Sequence, residues 1–259
     1  MSIPSLLCFD NLLEQGTVTV GNNTLGQANE DPQNPIENLF DWLATDFYKP
    51  NELGTINIDL TLSSPAPADY LAIYAHDLHT APATLKLQYW NGSTWIDAAP
   101  ALAPTTGAPL VVTFTEQTSD KWRLVLTALS EIPSIGVCAF GKAMRPVHGN
   151  YLGYSEPLMA RAPELINSVS EGGAFLGRSV IHQGFRTNLV MQYETDAWVR
   201  AYWLGFVRHA EQKPFFYVWN LRDYPEEAAF CWADGEIAPP SHSQFGYMSA
   251  SFSVRGHTE

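Results

Sequence analysis

From Thr55 to Leu62 the chain alternates without a break, with Ile56, Ile58, Leu60 and Leu62 set against Thr55, Asn57, Asp59 and Thr61. A period of two places the apolar side chains on one face of an extended strand and the polar ones on the other. The stretch therefore needs a core on one side and water on the other. Pro65-Ala66-Pro67 interrupts it, and two further strand signals follow. Tyr70, Leu71, Ile73 and Tyr74 form a short β-forming run, while Leu85, Leu87 and Tyr89 alternate with Thr84, Lys86 and Gln88. Asn91-Gly92 suits the positive φ angles of a type I′ turn, so Trp90 and Trp95 are expected on either side of a tight hairpin. Thr17–Val20, Leu110–Phe114 and Trp122–Leu126 read as further strands, and residues 98–109, rich in Ala, Pro and Thr, as a long loop. Short strands broken by Pro and Gly, with no helical period between them, predict an antiparallel β-sandwich.

Beyond Arg145 the pattern changes. Residues 145–163 carry Gly, Pro and Tyr with little periodicity, and we place a boundary at their start. Val180–Met191 is a strand candidate interrupted at Gln183-Gly184, as by a bulge. Asp196–Ala210 is the one good helix: Val199, Trp203, Phe206 and Ala210 share a stripe, Asp196 is a plausible N-cap, and Arg208 and His209 suit the last turn. Phe215–Trp219, Ala228–Trp232 and Tyr247–Val254 complete a small α+β unit. The expected organisation is an N-terminal segment over 1–14, a sandwich over 15–145 and a β-rich domain with one helix over 146–259.

Charge narrows the function. Fourteen Lys and Arg against 27 Asp and Glu give a formal net charge of −13, which repels phosphate backbones and anionic lipid, so neither nucleic acid nor membrane insertion is expected. The first 15 residues lack the basic start and apolar run of a secretory signal. Cys8, Cys138 and Cys231 are widely spaced, with no Cys-x-x-Cys pair to hold zinc, and are expected as buried thiols.

No motif of covalent catalysis is present. Ser179 follows Gly177 but lacks the second glycine of a nucleophile elbow, and Gly172-Gly173 with Gly177 lacks the lysine of a phosphate loop. Glu226-Glu227 is expected on a solvated surface rather than as a glycosidase pair. His76 and His79, spaced three apart, fall at a strand end, where the two side chains point differently and do not chelate. What the sequence does offer is carbohydrate-recognition chemistry, an aromatic plane for a sugar ring beside polar groups for its hydroxyls. Trp42, Asp46, Phe47, Tyr48, His76, Asp77, Trp90 and Trp95 supply that mixture, although each tryptophan would serve equally well in a sandwich core.

The stretch ADYLAIYAHDLHTAPATLKLQYWNGSTW, with NPIENLFDWLATDFYKP before it and KWRLVLTAL and IPSIGVCAFGKAMRP after it, resembles a discoidin-type, galactose-binding-like β-sandwich. The version it is most similar to occurs in tail-tip proteins of long-tailed bacteriophages. The resemblance covers residues 15–145. Over the second half, layout and the phrase KPFFYVWN…YPEEAAFCWADG are similar to the tail-tube-like domain of phage distal tail proteins. It implies a non-enzymatic virion protein of the tail tip or baseplate, assembled in the host cytoplasm. The C-terminal domain would close a homo-oligomeric ring, commonly a hexamer, between tail tube and baseplate hub. It also implies a ligand-facing loop end bearing Trp42, Asp46, Tyr48, His76, Asp77 and Trp95 toward host-surface glycans. No cofactor is required, and calcium through Asn38 or Asp41 stays open. The alternative is a stand-alone carbohydrate-binding module.

Overall fold

The structure, a computed structural model, describes residues 5–150, 154–243 and 246–259. The first four residues of the N-terminal segment, and three within the 145–163 boundary stretch, lie outside them. The chain is mainly β, in antiparallel sheets, and divides into two compact units, residues 6–144 and residues 145–258.

The first unit is the β-sandwich. The unit begins with the short β1 (Leu6–Cys8), and the strands of the sandwich are β2 (Thr17–Val20), β3 (Gly54–His76), β4 (Ala83–Trp90), β5 (Trp95–Asp97), β6 (Leu110–Ala128) and β7 (Ile135–Gly141). Strand signals that read separately in the sequence are halves of two long strands. Thr55–Leu62 and Tyr70–Tyr74 both belong to β3, and Leu110–Phe114 and Trp122–Leu126 both belong to β6. Each long strand serves two layers. Residues 54–61 of β3 pair with 121–128 of β6 in a broad layer ordered β2-β3-β6-β4-β5, while residues 70–76 of β3 pair with β7 and, over 70–73, with the start of β6. The register breaks between Thr61 and Ala66, where Pro65 sits. A proline cannot donate to a ladder, so the bend is the place in this strand that tolerates it.

Cross-strand rows on the inner face make the core. Ile56, Leu126 and Leu85 stand in one row, Ile58, Leu124 and Leu87 in the next, and Leu60, Trp122 and Tyr89 in the third. All but Tyr89 are buried. Trp122 of the broad layer meets Phe140 of β7, ring centroids 5.6 Å apart, which fixes the two layers face to face. Its indole N–H donates to the Ser119 carbonyl at 3.0 Å, so burying the ring leaves no orphan donor. Asn11 donates to the Cys138 carbonyl at 3.1 Å, and Leu7 and Met144 exchange two backbone hydrogen bonds that tie together the ends of the unit.

In the second unit the strands are β8 (Glu164–Val169), β9 (Phe175–His182), β10 (Phe185–Glu194), β11 (Phe215–Val218), β12 (Ala228–Ala233), β13 (Ser241–His242) and β14 (Met248–His257). β11, β12, β14 and β10 follow one another in a sheet, and β13 also pairs with β14. The interruption expected at Gln183-Gly184 is a full break between β9 and β10.

One helical run, 196–210, covers this sheet and contains a π-type turn at Val199–Trp203. Its N-cap is Thr195 rather than Asp196, because the Thr195 hydroxyl accepts from the Trp198 amide at 3.1 Å while Asp196 binds Arg200 one turn on. The stripe of Val199, Trp203, Phe206 and Ala210 is buried as its spacing predicts, with Phe206 against Phe215 at 5.0 Å and Phe252 at 5.4 Å. Near the end of β10 a bulge and a positive φ at Tyr193 turn the Glu194 carboxylate inward, where it accepts from the Val147 amide at 3.0 Å. β8 and β9 form a hairpin sheet of their own, unforeseen in the sequence.

Candidate functional site

Strand alternation that sends Ile58, Leu60, Leu85, Leu87 and Trp122 inward sends their neighbours out of the broad layer. Register then gathers residues far apart in the chain. Asp59, Arg123, Gln88 and Asp97 lie in one row across β3, β6, β4 and β5, with Trp90 opposite Trp95 in the next. The hairpin that carries the two tryptophans is closed by the four residues 91–94 rather than by a two-residue type I′ turn. The Asn91 side-chain carbonyl accepts from the amides of Ser93 and Thr94, both at 2.9 Å, and Gly92 takes φ 98°.

On this face Arg123 grips Asp59 with one edge of its guanidinium, Nε donating to Oδ1 and Nη2 to Oδ2 at 3.0 Å. The same guanidinium lies 4.2 Å from the centroid of the Trp95 ring. A flat cation stacked on an indole is held by the ring quadrupole, while its N–H groups, lying in the guanidinium plane, bond to acceptors in that plane. Trp90 meets Trp95 edge-on at 5.4 Å. Beside them Asp97 accepts from Gln88 at 2.7 Å and from Lys86 at 2.9 Å, and these two bonds hold its carboxyl below the usual range. Each cation is matched by one carboxylate: Arg123 by Asp59 and Lys86 by Asp97. Five basic and 15 acidic side chains lie up to Met144, so a locally neutral patch stands out on an acidic unit. Half-exposed indole beside fixed, charge-balanced donors and acceptors suits an uncharged ligand rich in hydroxyls, because nothing there selects an ion.

The residues expected to share one loop end are distributed over three places. Trp42 and Tyr48 are 1% and 0% exposed. The Trp42 indole donates to Glu14, and the Tyr48 hydroxyl donates to the Asn29 carbonyl at 2.9 Å, so neither ring presents a face to a ligand. His76, Asp77 and Asp46 do gather at the sandwich end where β3 finishes. Asp77 there holds the 129–134 connection, accepting from the Ser134 amide at 2.6 Å and its hydroxyl at 2.8 Å. His76 is 6% exposed, and the Ala108 backbone approaches its ring without closing a well-formed hydrogen bond. Burial, and next the neighbouring His79, push its pKa down. Ala75 before it has φ 53°, and a side chain at Gly136 would come within 3.0 Å of both Ala75 and the Asp46 carbonyl, so this end is tightly closed.

Asn38 donates to the Phe47 carbonyl at 3.0 Å and Asp41 accepts from the Leu43 amide at 2.8 Å, each serving its own loop. Among the described residues no three His, Cys, Asp or Glu side chains stand together as metal ligands. Cys8, Cys138 and Cys231 are buried free thiols. Of the residues offered for sugar recognition only Trp90 and Trp95 lie on the outer face. Asp59, Lys86, Gln88, Asp97 and Arg123 join them there; alternation along Thr55–Leu62 and Thr84–Tyr89 put Asp59, Lys86 and Gln88 on polar faces, and no sequence signal brought these residues together.

No family model matches the sequence, and no curated protein does. Among solved structures the chain is similar, over about half its length, to two carbohydrate-binding modules and to SpGH29. A pectin-binding carbohydrate-binding module is 16% identical with a TM-score of 0.39, over 49% of this chain and 89% of that one. Chitosan-binding module 1 of a chitosanase/glucanase from Paenibacillus sp. IK-5 is 16% identical with a TM-score of 0.40, over 51% and 99%. SpGH29 is 18% identical with a TM-score of 0.41, over 51% of this chain and 28% of that one.

Proposed function

We propose that this chain is a non-enzymatic binding and assembly protein whose sandwich holds an uncharged glycan on the outer face of its broad layer. The observation that supports this most is the array of Trp95, Trp90, Arg123, Asp59, Gln88 and Asp97, charge-balanced on an otherwise acidic unit. In the proposed mode a sugar ring lies against the exposed part of the Trp90–Trp95 pair. Its hydroxyls donate to Asp59 and Asp97 and accept from Arg123, Lys86 and Gln88. The site needs no metal, because the side chains supply both donors and acceptors.

The resemblance to phage tail-tip proteins supports a more specific setting. In it the C-terminal unit closes a ring between tail tube and baseplate hub, the sandwich faces outward toward host-surface glycans, and the protein resides in the virion. The other setting, a stand-alone carbohydrate-binding protein, keeps the same site and loses the ring. Glycan-array screening of the purified chain, repeated with Trp95→Ala, tests the binding reading. Saturable signal from neutral glycans that the variant loses is the expected result. No saturable signal, or signal the variant retains, removes the outer face as the site. Mass spectrometry of purified virions tests the setting, which is refuted if the chain is absent from them.

A further inference from the structure

We propose that the second unit carries a ligand site of its own, at the outer face of its sheet, for a sugar that bears a carboxylate. It is independent of the glycan site on the sandwich. Along β10 and β14 alternation sends Leu189, Phe252 and Val254 inward and Arg186, Asn188, Ser253 and Arg255 outward. Register then sets Arg186 directly opposite Arg255. Like charges facing each other across an antiparallel pair are destabilising, so this pair needs anions beside it. One carboxylate serves both: Arg186 Nε stands 2.6 Å from Asp234 Oδ2, and Arg255 Nε 3.2 Å from Asp234 Oδ1. On the sandwich face each cation has a carboxylate to itself, whereas here two guanidiniums share one and a positive charge is left over. With side chains 55% and 50% exposed, both remain within reach of a ligand.

A cavity of about 450 Å³ lies beside the pair, lined by Pro163, Glu164, His182, Arg186 and Arg255 among others, while Asp234 holds the arginines without lining it. Residues 160–164 are fastened along β10 to form part of the wall. The Arg186 amide donates to the Ala160 carbonyl at 3.1 Å, and the Ala162 amide to the Gly184 carbonyl at 2.8 Å. A Cβ at Gly184 would come within 2.8 Å of the Gly256 carbonyl and 3.0 Å of His182 Nε2, so glycine there lets the imidazole lie against the strand. The lining identifies the ligand. A guanidinium offers its N–H groups as a planar fork that fits a carboxylate. Glu164, the one acid of the wall among the described residues, accepts from hydroxyls and repels a dianion such as phosphate. The volume falls within the range of small-molecule sites. A uronic acid residue meets these conditions, with its carboxylate on the arginine pair and its hydroxyls toward Glu164 and His182.

A ¹⁵N–¹H titration of the full chain with methyl β-glucuronide, read at the arginine Nε–H signals, tests this, with methyl β-glucoside as the uncharged reference. The glucuronide should shift the Arg186 and Arg255 signals saturably, with a Kd that rises severalfold as added salt screens the contact. The glucoside, and inorganic phosphate at matched ionic strength, should leave both signals in place. Arg255→Gln, followed at Arg186, should weaken glucuronide binding at least tenfold with far-UV circular dichroism unchanged. If that variant misfolds, Arg186→Lys takes its place, because it keeps the charge and loses the fork, and a comparable loss is expected. Trp95→Ala should leave glucuronide binding as it is, so failure of the sandwich site and failure of this one are read separately. The proposal is overturned by arginine signals that do not move with the glucuronide, or that move equally with the glucoside or phosphate. Binding that survives Arg255→Gln and disappears with Trp95→Ala overturns it as well.

Discussion

Replacing Arg123 with alanine separates the structural from the binding role of the outer face. The guanidinium makes a bidentate pair with Asp59, with side chains 23% and 37% exposed, and stacks on Trp95 at 4.2 Å. A partly exposed pair contributes about 0.2–1 kcal/mol and a stacked cation about 0.5–1 kcal/mol. The fold should therefore lose about 1–2 kcal/mol, a fall in Tm of roughly 3–8 °C by differential scanning calorimetry. Binding should suffer more. Losing a charged hydrogen-bond donor to a ligand costs about 1.5–3 kcal/mol, which is roughly 10–150-fold in Kd by isothermal titration with the best neutral oligosaccharide from the array. Arg123→Lys keeps the charge but not the fork or the stacking, so it should recover part of the Tm and little of the affinity. A lowered Tm with unchanged Kd would refute the assignment, leaving Arg123 as a cross-strand pair that only holds the sheet together.

Three further outcomes follow from the same geometry. Trp122→Ala removes the ring that joins the two layers at Phe140, and urea unfolding should show a loss of about 3–5 kcal/mol. A loss below about 1 kcal/mol would mean the layers are not held there. His76 has its folded pKa depressed below 6.5, so the unfolded chain binds its proton first. Its contribution to stability is full above pH 6.5 and is lost as pH falls through the folded pKa, so His76→Asn should lessen the acid-side decline in Tm, and parallel profiles would contradict this. Glycan affinity in EDTA should equal that in calcium, and a calcium-dependent Kd would bring the loop of Asn38 and Asp41 back into the site.

Periodicity carried far in this chain where one face is core and the other is water. Thr55–Leu62, Thr84–Tyr89 and the helical stripe of Val199, Trp203, Phe206 and Ala210 all lie as their spacing indicates. It failed where that condition lapses. Residues 164–182 are exposed on both faces and pair with two shifts of register, so no alternation marks the hairpin. The long strands β3 and β6 were seen as separate pieces because prolines and polar residues at the bend look like loop, although the chain merely changes layers there. Site residues were harder still. Trp42 and Tyr48 carry the same residue types in a core as in a sugar site. Asp59, Gln88, Asp97 and Arg123 become neighbours only through register, which a local pattern does not encode.

The most direct test of the account is a backbone and indole ¹⁵N–¹H titration of the sandwich face in the full chain with that oligosaccharide. Saturable shifts should centre on the Trp90 and Trp95 indole N–H signals and on the amides of Lys86–Trp90, Trp95–Asp97 and Arg123. Shifts centred instead on residues 75–80 and 129–134, or none at saturating sugar, would contradict it.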